Sequence, residues 1–298
     1  MNNKMRQNSF SCRSPLKLMY ITNRTDVAKI AEENGIDFIW IDLETIGKAK
    51  RQGNIDSVKS NHLITDVSSI RDVISVSKLL VRVNPLFEGS KAEIDEVIAR
   101  GADIIMLPMF HTTDDVKRFI DIVAGRAKVL PLVETIEAES NIDKIASIPG
   151  VDAIHIGLND LHIAYGMKFM FELLADGHVD VMTKKIAGHG IPYGFGGIAR
   201  LNEGLLPASH IIAEHYRLGS SMAILSRSFY NSLLGYNIEE IERVFFDGIK
   251  EIRDYEHQLM AEGPDFFAEN QETVKMEVSQ VVEKIGQSNM ARTTAKTN

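Results

Sequence analysis

The chain is 298 residues long, with 44% apolar residues, 25% charged residues and a formal net charge of −8. This length suits one large barrel with an appendage or two ordinary domains, and the apolar share excludes a disordered chain. The acidic balance excludes a general nucleic-acid binder and adhesion to anionic membranes, since both need a basic face. No apolar run approaches the ~20 residues of a bilayer span. The single cysteine, Cys12, excludes a disulfide framework and a thiolate metal cluster. The opening MNNKMRQNSFSCRSP has no apolar core of a secretory signal. Residues 1–14 are therefore expected to form a frayed leader, and the protein to be cytoplasmic.

Eight short apolar runs follow in chain order: Leu16–Thr22, Ile36–Asp42, Leu79–Asn84, Asp103–Met109, Lys128–Glu134, Val151–Gly157, Ile191–Gly196 and Ser221–Ser226. They are nearly continuous rather than alternating, as in strands covered by helices on both faces. Helix-like stretches separate them, among them Thr25–Asn34, Lys91–Arg100 and Thr113–Ala124, each closed by a glycine. Turns of the form Gly-x-Asp recur before strands at Gly35, Gly101 and Gly150. Eight such units over residues 15–235 predict a (β/α)8 TIM barrel, an α/β fold. A doubly wound open sheet would need a glycine-rich phosphate turn after the first strand, where Thr22-Asn23-Arg24 stands instead.

Beyond the barrel, residues 236–286 predict extra C-terminal helices. Asn237 and Glu240 form a capping-box pair, and Ile238, Ile241, Phe245, Ile249 and Ile252 recur at helical spacing. After Glu262-Gly263-Pro264 a second stripe runs through Val274, Val278, Val281 and Ile285. These stripes either pack on the barrel's own exterior or form a subunit contact. The apolar insert Met167–Gly177 is open to a similar pair of readings, lid or subunit contact, and residues 287–298 read as a flexible tail.

In such barrels chemistry is built where strands end. The second strand ends in Asp42-Leu43-Glu44, the third carries Arg82, the fourth ends in Pro108-Met109, the fifth in Glu134, and the sixth runs into Gly157-Leu158-Asn159-Asp160. Four carboxylates on one rim raise one another's proton affinity unless a cation sits among them. Oxygen donors without a Cys or His cluster favour Mg2+ or Mn2+ over zinc.

These residues also carry a resemblance. Val133–Leu161 (VETIEAESNIDKIASIPGVDAIHIGLNDL), with Ile41–Glu44, Leu80–Asn84 and Gly101–Met109, resembles the HpcH/HpaI aldolase and citrate lyase beta family in order and spacing. The resemblance implies a (β/α)8 barrel, often a homo-oligomer, that makes or breaks a carbon–carbon bond beside a carbonyl through a metal-stabilised, pyruvate-like enolate. It implies Glu134 and Asp160 as metal ligands and Arg82 as the group facing the developing oxyanion. Asn159 and Asp160 fall where backbone amides hold the substrate carboxylate, and Asp42 and Glu44 where acids organise water near the metal. Pro108, Gly196 and Gly197 join the substrate-binding set. Two positions depart from the family: Thr45 stands where it has histidine or an acid, and Leu132 where the aldolase branch has glutamine. Threonine is a poor base near neutral pH, so Glu44, His162 or a metal-bound water is left for the proton.

His155 reads as a hydrogen-bonded barrel histidine, Trp40 as core and His111 as a solvated loop residue, while His210 and His215, five apart, do not share one metal-binding face. The cluster Gly194, Gly196 and Gly197 either lets the chain turn or cradles a phosphate, with Arg200 and Arg227 nearby. Three functions follow from these readings: a metal-dependent lyase of 2-oxo acids, a citrate-lyase-like enzyme of acyl-CoA thioesters, or a non-catalytic metabolite-binding barrel. All three take a small molecule as partner, with no nucleic acid and no membrane.

Overall fold

The computed structural model describes residues 14–48, 61–226, 229, 235 and 237–296, with side chains as far as Gln287. The leader with Cys12, and Arg227, lie outside the described residues. The eight strands are β1 (Lys17–Ile21), β2 (Phe38–Asp42), β3 (Lys78–Arg82), β4 (Ile104–Leu107), β5 (Lys128–Val133), β6 (Ile154–Ile156), β7 (Tyr193–Ile198) and β8 (Met222–Leu225). Each pairs in parallel with the next, and β8 returns to β1, so the sheet closes into a (β/α)8 barrel. The connecting helices are α1 (Thr25–Glu33), α2 (Ile64–Arg71), α3 (Ser90–Ala99), α4 (Thr113–Val123), α5 (Ile136–Ser140), α6 (Ile142–Ala146), α7 (Leu158–Ala164), α8 (Glu172–Ala175), α9 (His178–Gly188) and α10 (Ala208–Leu218). Two longer ones follow, α11 (Ile238–Leu259) and α12 (Pro264–Lys296). No helix among the described residues is long and apolar enough to cross a membrane.

Alternation along the strands divides the core in two. Residues such as Ile39, Ile41, Leu79, Val81, Ile154 and Ile156 face the helices and form one large cluster. Met19, Trp40, Leu80, Met106, Leu130 and Leu132 form a second cluster that fills the barrel. The Gly-x-Asp turns have a common job at the strands' amino-terminal end. Gly35, Gly101 and Gly150 all take positive φ, and the aspartate that follows accepts from the backbone of the preceding strand. Asp37 accepts from Leu18 N at 2.9 Å, Asp103 from Leu79 N at 2.8 Å and Asp152 from Val129 N at 2.8 Å. A cavity of about 830 Å3 opens at that end, lined by Lys17, Phe38, Lys78, Ile104, Lys128 and Met222 among others, across the barrel from the acids described below.

The C-terminal helices cover the barrel that precedes them. Asn237 caps α11, accepting from Glu240 N at 2.9 Å while Glu240 Oε2 accepts from Asn237 N at 2.8 Å. Phe245 of α11 meets Tyr20 edge to face at 5.0 Å and Phe229 at 5.6 Å. Buried Glu256 accepts from Leu16 N at 2.7 Å, and Arg253 donates to Leu16 O at 2.9 Å, tying α11 to the start of β1. In α12, Val274, Val278 and Val281 are buried against α10 and the α8 segment. Asn270 bridges the two helices, meeting His210 Nδ1 at 2.7 Å and donating to Glu214 at 2.9 Å. Most of both stripes is thus buried within the chain, with Ile238 exposed at the start of α11 and Ile285 half-buried. The insert Met167–Gly177 packs inward too, burying Phe169, Phe171, Leu173 and Leu174. The backbone stays helical to Lys296.

Candidate functional site

The carboxyl ends of β2, β3 and β5 set three charged groups side by side. Asp42 and Arg82 are the last residues of their strands and lie in register across the β2–β3 pair. Their side chains form a fork: Arg82 Nε donates to Asp42 Oδ1 at 2.9 Å and Nη2 to Oδ2 at 2.8 Å. The guanidinium also lies 5.3 Å from the ring centre of Trp40. Glu44, two residues past β2, is buried with Oε2 3.4 Å from Arg82 Nη2, and its backbone N–H donates to Asp42 Oδ1 at 3.2 Å. Burial opposes charge on Arg82, but Asp42, Glu44 and Glu134 outweigh it and hold its pKa above the ordinary value. Burial likewise opposes charge on Asp42, yet Arg82 and Lys48 hold that carboxyl well below the usual carboxylate range.

Glu134 immediately follows β5. Thr135 caps α5, accepting from Ala138 N at 3.1 Å and donating to Phe110 O at 2.8 Å, which anchors the backbone beside the glutamate. Glu134 Oε1 accepts from Met109 N at 3.0 Å. Met109 holds a left-handed φ of 49°, rare for a side-chain-bearing residue, and with it the N–H that meets Glu134. Burial drives the Glu134 carboxyl upward, Arg82 pulls it down, and Asp160 and Glu44 add to the rise, leaving it at about 8. Asp160 sits in the first turn of α7, half-buried.

Among the described residues no group of three or more His, Cys, Asp or Glu side chains forms a ready-made metal cage. The donor set nonetheless fits a hard divalent cation. Mg2+ is commonly held by one or two carboxylates with water and substrate completing the shell. Glu134 is a buried carboxylate with like charges around it, the electrostatic condition that such a cation relieves. Gly157 is part of this fit, because a Cβ there would lie 2.8 Å from Glu134 Cβ and 3.0 Å from its Oε2. Gly157→Ala should displace Glu134 and weaken Mn2+ binding about tenfold, read by titration calorimetry.

The remaining predicted residues divide. His162 is held within α7, its Nδ1 3.2 Å from Leu158 O. Asn159 is exposed, and Pro108 is buried next to Met109. Gly194 and Gly196 have packing reasons: a Cβ on Gly194 would lie 2.3 Å from Met222 O, and one on Gly196 2.9 Å from Leu158 Cδ1. Gly197 lies where the β7–β8 register shifts. Thr45 is exposed, and its N–H and hydroxyl both donate to Asn84 Oδ1, at 2.9 and 3.2 Å. Asn84 in turn donates to Glu93 at 2.7 Å. Asn84 was legible only as a strand end. Lys48, 2.6 Å from Asp42 Oδ2, was lost in the basic run Gly47–Arg51.

His155 points into the barrel, with Nε2 3.3 Å from Gly196 O, and His215 stacks on Phe195 at 3.8 Å. Burial lowers their pKa values to about 4 and about 3. In the unfolded chain both take protons near 6.5. Stability is therefore present above about pH 6.5 and is lost as pH falls toward 4, because only the unfolded state binds protons in that window. His155→Phe should flatten this acid limb by on the order of 3 kcal/mol, measured by urea denaturation across pH.

Comparison with known proteins agrees with this architecture. The family model for HpcH/HpaI aldolase/citrate lyase matches residues 17–175. An HpcH/HpaI aldolase from Desulfitobacterium hafniense DCB-2 superposes with a TM-score of 0.56 at 14% identity, covering 77% of this chain and 93% of that one. A family protein from Burkholderia cenocepacia J2315 gives 0.59 at 16% identity, covering 76% and 95%. The citrate synthase SbnG gives 0.57 at 17% identity, covering 77% and 94%. No curated protein matches the chain by sequence. With a family model spanning more than half its length and a barrel that carries the acids at the expected strand ends, the chain belongs to the HpcH/HpaI aldolase/citrate lyase family.

Proposed function

We propose that this chain is a divalent-metal-dependent carbon–carbon lyase that forms or cleaves a 2-oxo acid through a pyruvate-like enolate. The observation that carries the reading is the convergence of Arg82, Glu44, Glu134 and Asp160 at the carboxyl mouth of the barrel, with acids in excess. Glu134 and Asp160 would hold Mg2+ or Mn2+. When bound, the cation supplies a Lewis acid for the substrate's keto oxygen.

The chain's own groups do the rest. Arg82 spends Nε and Nη2 on Asp42, while Nη1 has no partner among the described residues and is left for the oxyanion that develops as the bond breaks. The Asp42 fork fixes the plane of the guanidinium before substrate arrives, so little reorganisation is needed. Burial of Asp42, Glu44 and Glu134 keeps bulk water from screening these charges. Of the two side chains put forward for the proton, Glu44 lies in the cluster and His162 is tied to its own helix. The transfer is therefore assigned to the Glu44 carboxylate. Asn159, Asp160 and Gly197 line the substrate's approach in this reading, with buried Pro108 and Gly196 supporting it through Met109 and Leu158, and assembly into a cytoplasmic homo-oligomer accompanies it.

The test is hydrogen–deuterium exchange at the methyl group of pyruvate, followed by NMR with Mg2+ or Mn2+ added. Metal-dependent exchange is expected. If Mn2+ binds and no exchange occurs, the reading on pyruvate fails, and CoA affinity capture then examines the thioester chemistry instead.

A further inference from the structure

The loop after β2 contributes a buried cation that the chemistry above leaves unused. Lys48 is 6% exposed. Its Nζ lies 2.6 Å from Asp42 Oδ2 and 4.0 Å from Glu44 Oε2. Arg82 Nη2 approaches the same Asp42 oxygen at 2.8 Å, so one carboxylate oxygen serves two cations. Pairing alone does not require this, because Arg82 already binds Asp42 through both oxygens. Taking an ammonium out of water also carries a large desolvation cost, which makes it a poor choice for stability alone.

Charge accounting gives the second cation a role. With a cation bound, the carboxylates of Asp42, Glu44, Glu134 and Asp160 would bring four negative charges, against two positive ones from Arg82 and Lys48. The cluster then matches one divalent cation. Without Lys48 the acids would outnumber the cations further, and among the described residues Arg82 would be the one charged partner of Asp42 beside the Glu44 N–H.

We propose that Lys48 is a positioning residue, which shares the charge of Asp42 so that Arg82 keeps its own for the substrate's developing oxyanion and so that the acids do not overbind the metal. This rests on the lyase reading. Lys48 acts through Asp42 and Arg82, and touches no reacting atom.

The test compares wild type, Lys48→Met and Lys48→Arg in two measurements: the Mn2+ dissociation constant of the metal-stripped protein, from the EPR signal of free Mn2+, and kcat and KM for pyruvate exchange. Lys48→Met should bind Mn2+ about tenfold more tightly, since one nearby positive charge is gone. Its kcat should fall about tenfold with KM unchanged, because the loss lies in the transition state. Lys48→Arg should restore both values. Mn2+ affinity in Lys48→Met within twofold of wild type would overturn the proposal, whatever kcat does. So would weaker Mn2+ binding, or a loss that arginine does not rescue, since either would mark a structural part. Should Lys48→Met fail to fold, Lys48→Gln carries the same expectations. A wild-type protein that binds no Mn2+ would overturn the lyase reading and this proposal together, whereas wild-type binding with an unmoved Lys48→Met overturns the proposal alone. The Mn2+ measurement decides even where pyruvate is not exchanged.

Discussion

Glu134→Gln should remove divalent-cation binding while leaving the fold intact. Glutamine keeps the size of the side chain and an oxygen for the Met109 N–H, so the 3.0 Å bond across the β4–β5 ends can persist. It loses the anionic charge, and a neutral amide oxygen beside Asp160 is a far weaker ligand for a hard cation than a second carboxylate. Mn2+ affinity should fall about 100-fold or more, and pyruvate exchange should vanish with it. Stability should move the other way. Burial and two acidic neighbours, opposed by Arg82, lift the Glu134 carboxyl to about 8, so its charge is unwelcome in the metal-free protein at neutral pH. A group that binds its proton more tightly when folded makes stability fall as pH rises from about 4.5 to about 8. The neutral variant should lack that slope. Urea denaturation of the metal-stripped proteins measures it, and calorimetric titration measures the metal. Mn2+ affinity within threefold of wild type would remove Glu134 from the site.

Arg82→Lys should slow the reaction without releasing the metal. The guanidinium does three things at once: it forks Asp42 at 2.9 and 2.8 Å, stacks by Trp40, and leaves Nη1 for the substrate. An ammonium is a point charge on a flexible stem and cannot hold a carboxylate in a plane while presenting a second, fixed donor. Loss of one preorganised oxyanion donor costs about 100- to 1,000-fold in kcat. Exchange should fall by that order, with Mn2+ affinity changed no more than a few-fold because the net charge is conserved. The comparison of kcat at saturating Mn2+ with the directly measured metal affinity separates the two effects. Wild-type kcat in this variant would take Arg82 out of the chemistry.

Much of the barrel is written in the chain itself. The run Lys128–Glu134 encloses β5, and Ser221–Ser226 encloses β8, because strands covered on both faces need unbroken apolar sequence. The acids at the rim were legible for a related reason: once a strand's end is located, barrel topology dictates which mouth its next residues reach. The Asn237–Glu240 box was legible because a cap is a local device, satisfied within four residues. Met109 was not legible as a strained position, since nothing in its side chain favours a positive φ; the surrounding bonds impose it.

What sequence alone determined, then, is whatever depends on nearest neighbours along the chain: eight strands, their order, the cap of α11 and the acidic residues at strand ends. What tertiary structure decided is which of those residues meet. The apolar stripes of α11 and α12 needed cover, but only the folded chain shows where most of it comes from: β1 with Tyr20 and the adjoining Leu16 for α11, and helices α10 and α8 for α12. His162, near Asp160 in sequence, is bonded to Leu158 O, whereas Lys48, six residues past Asp42 in a basic run, turns back onto it. Periodicity reports burial, which repeats with the local backbone. Charge pairing is decided by closing loops, whose ends are brought together by the barrel rather than by any residue within them.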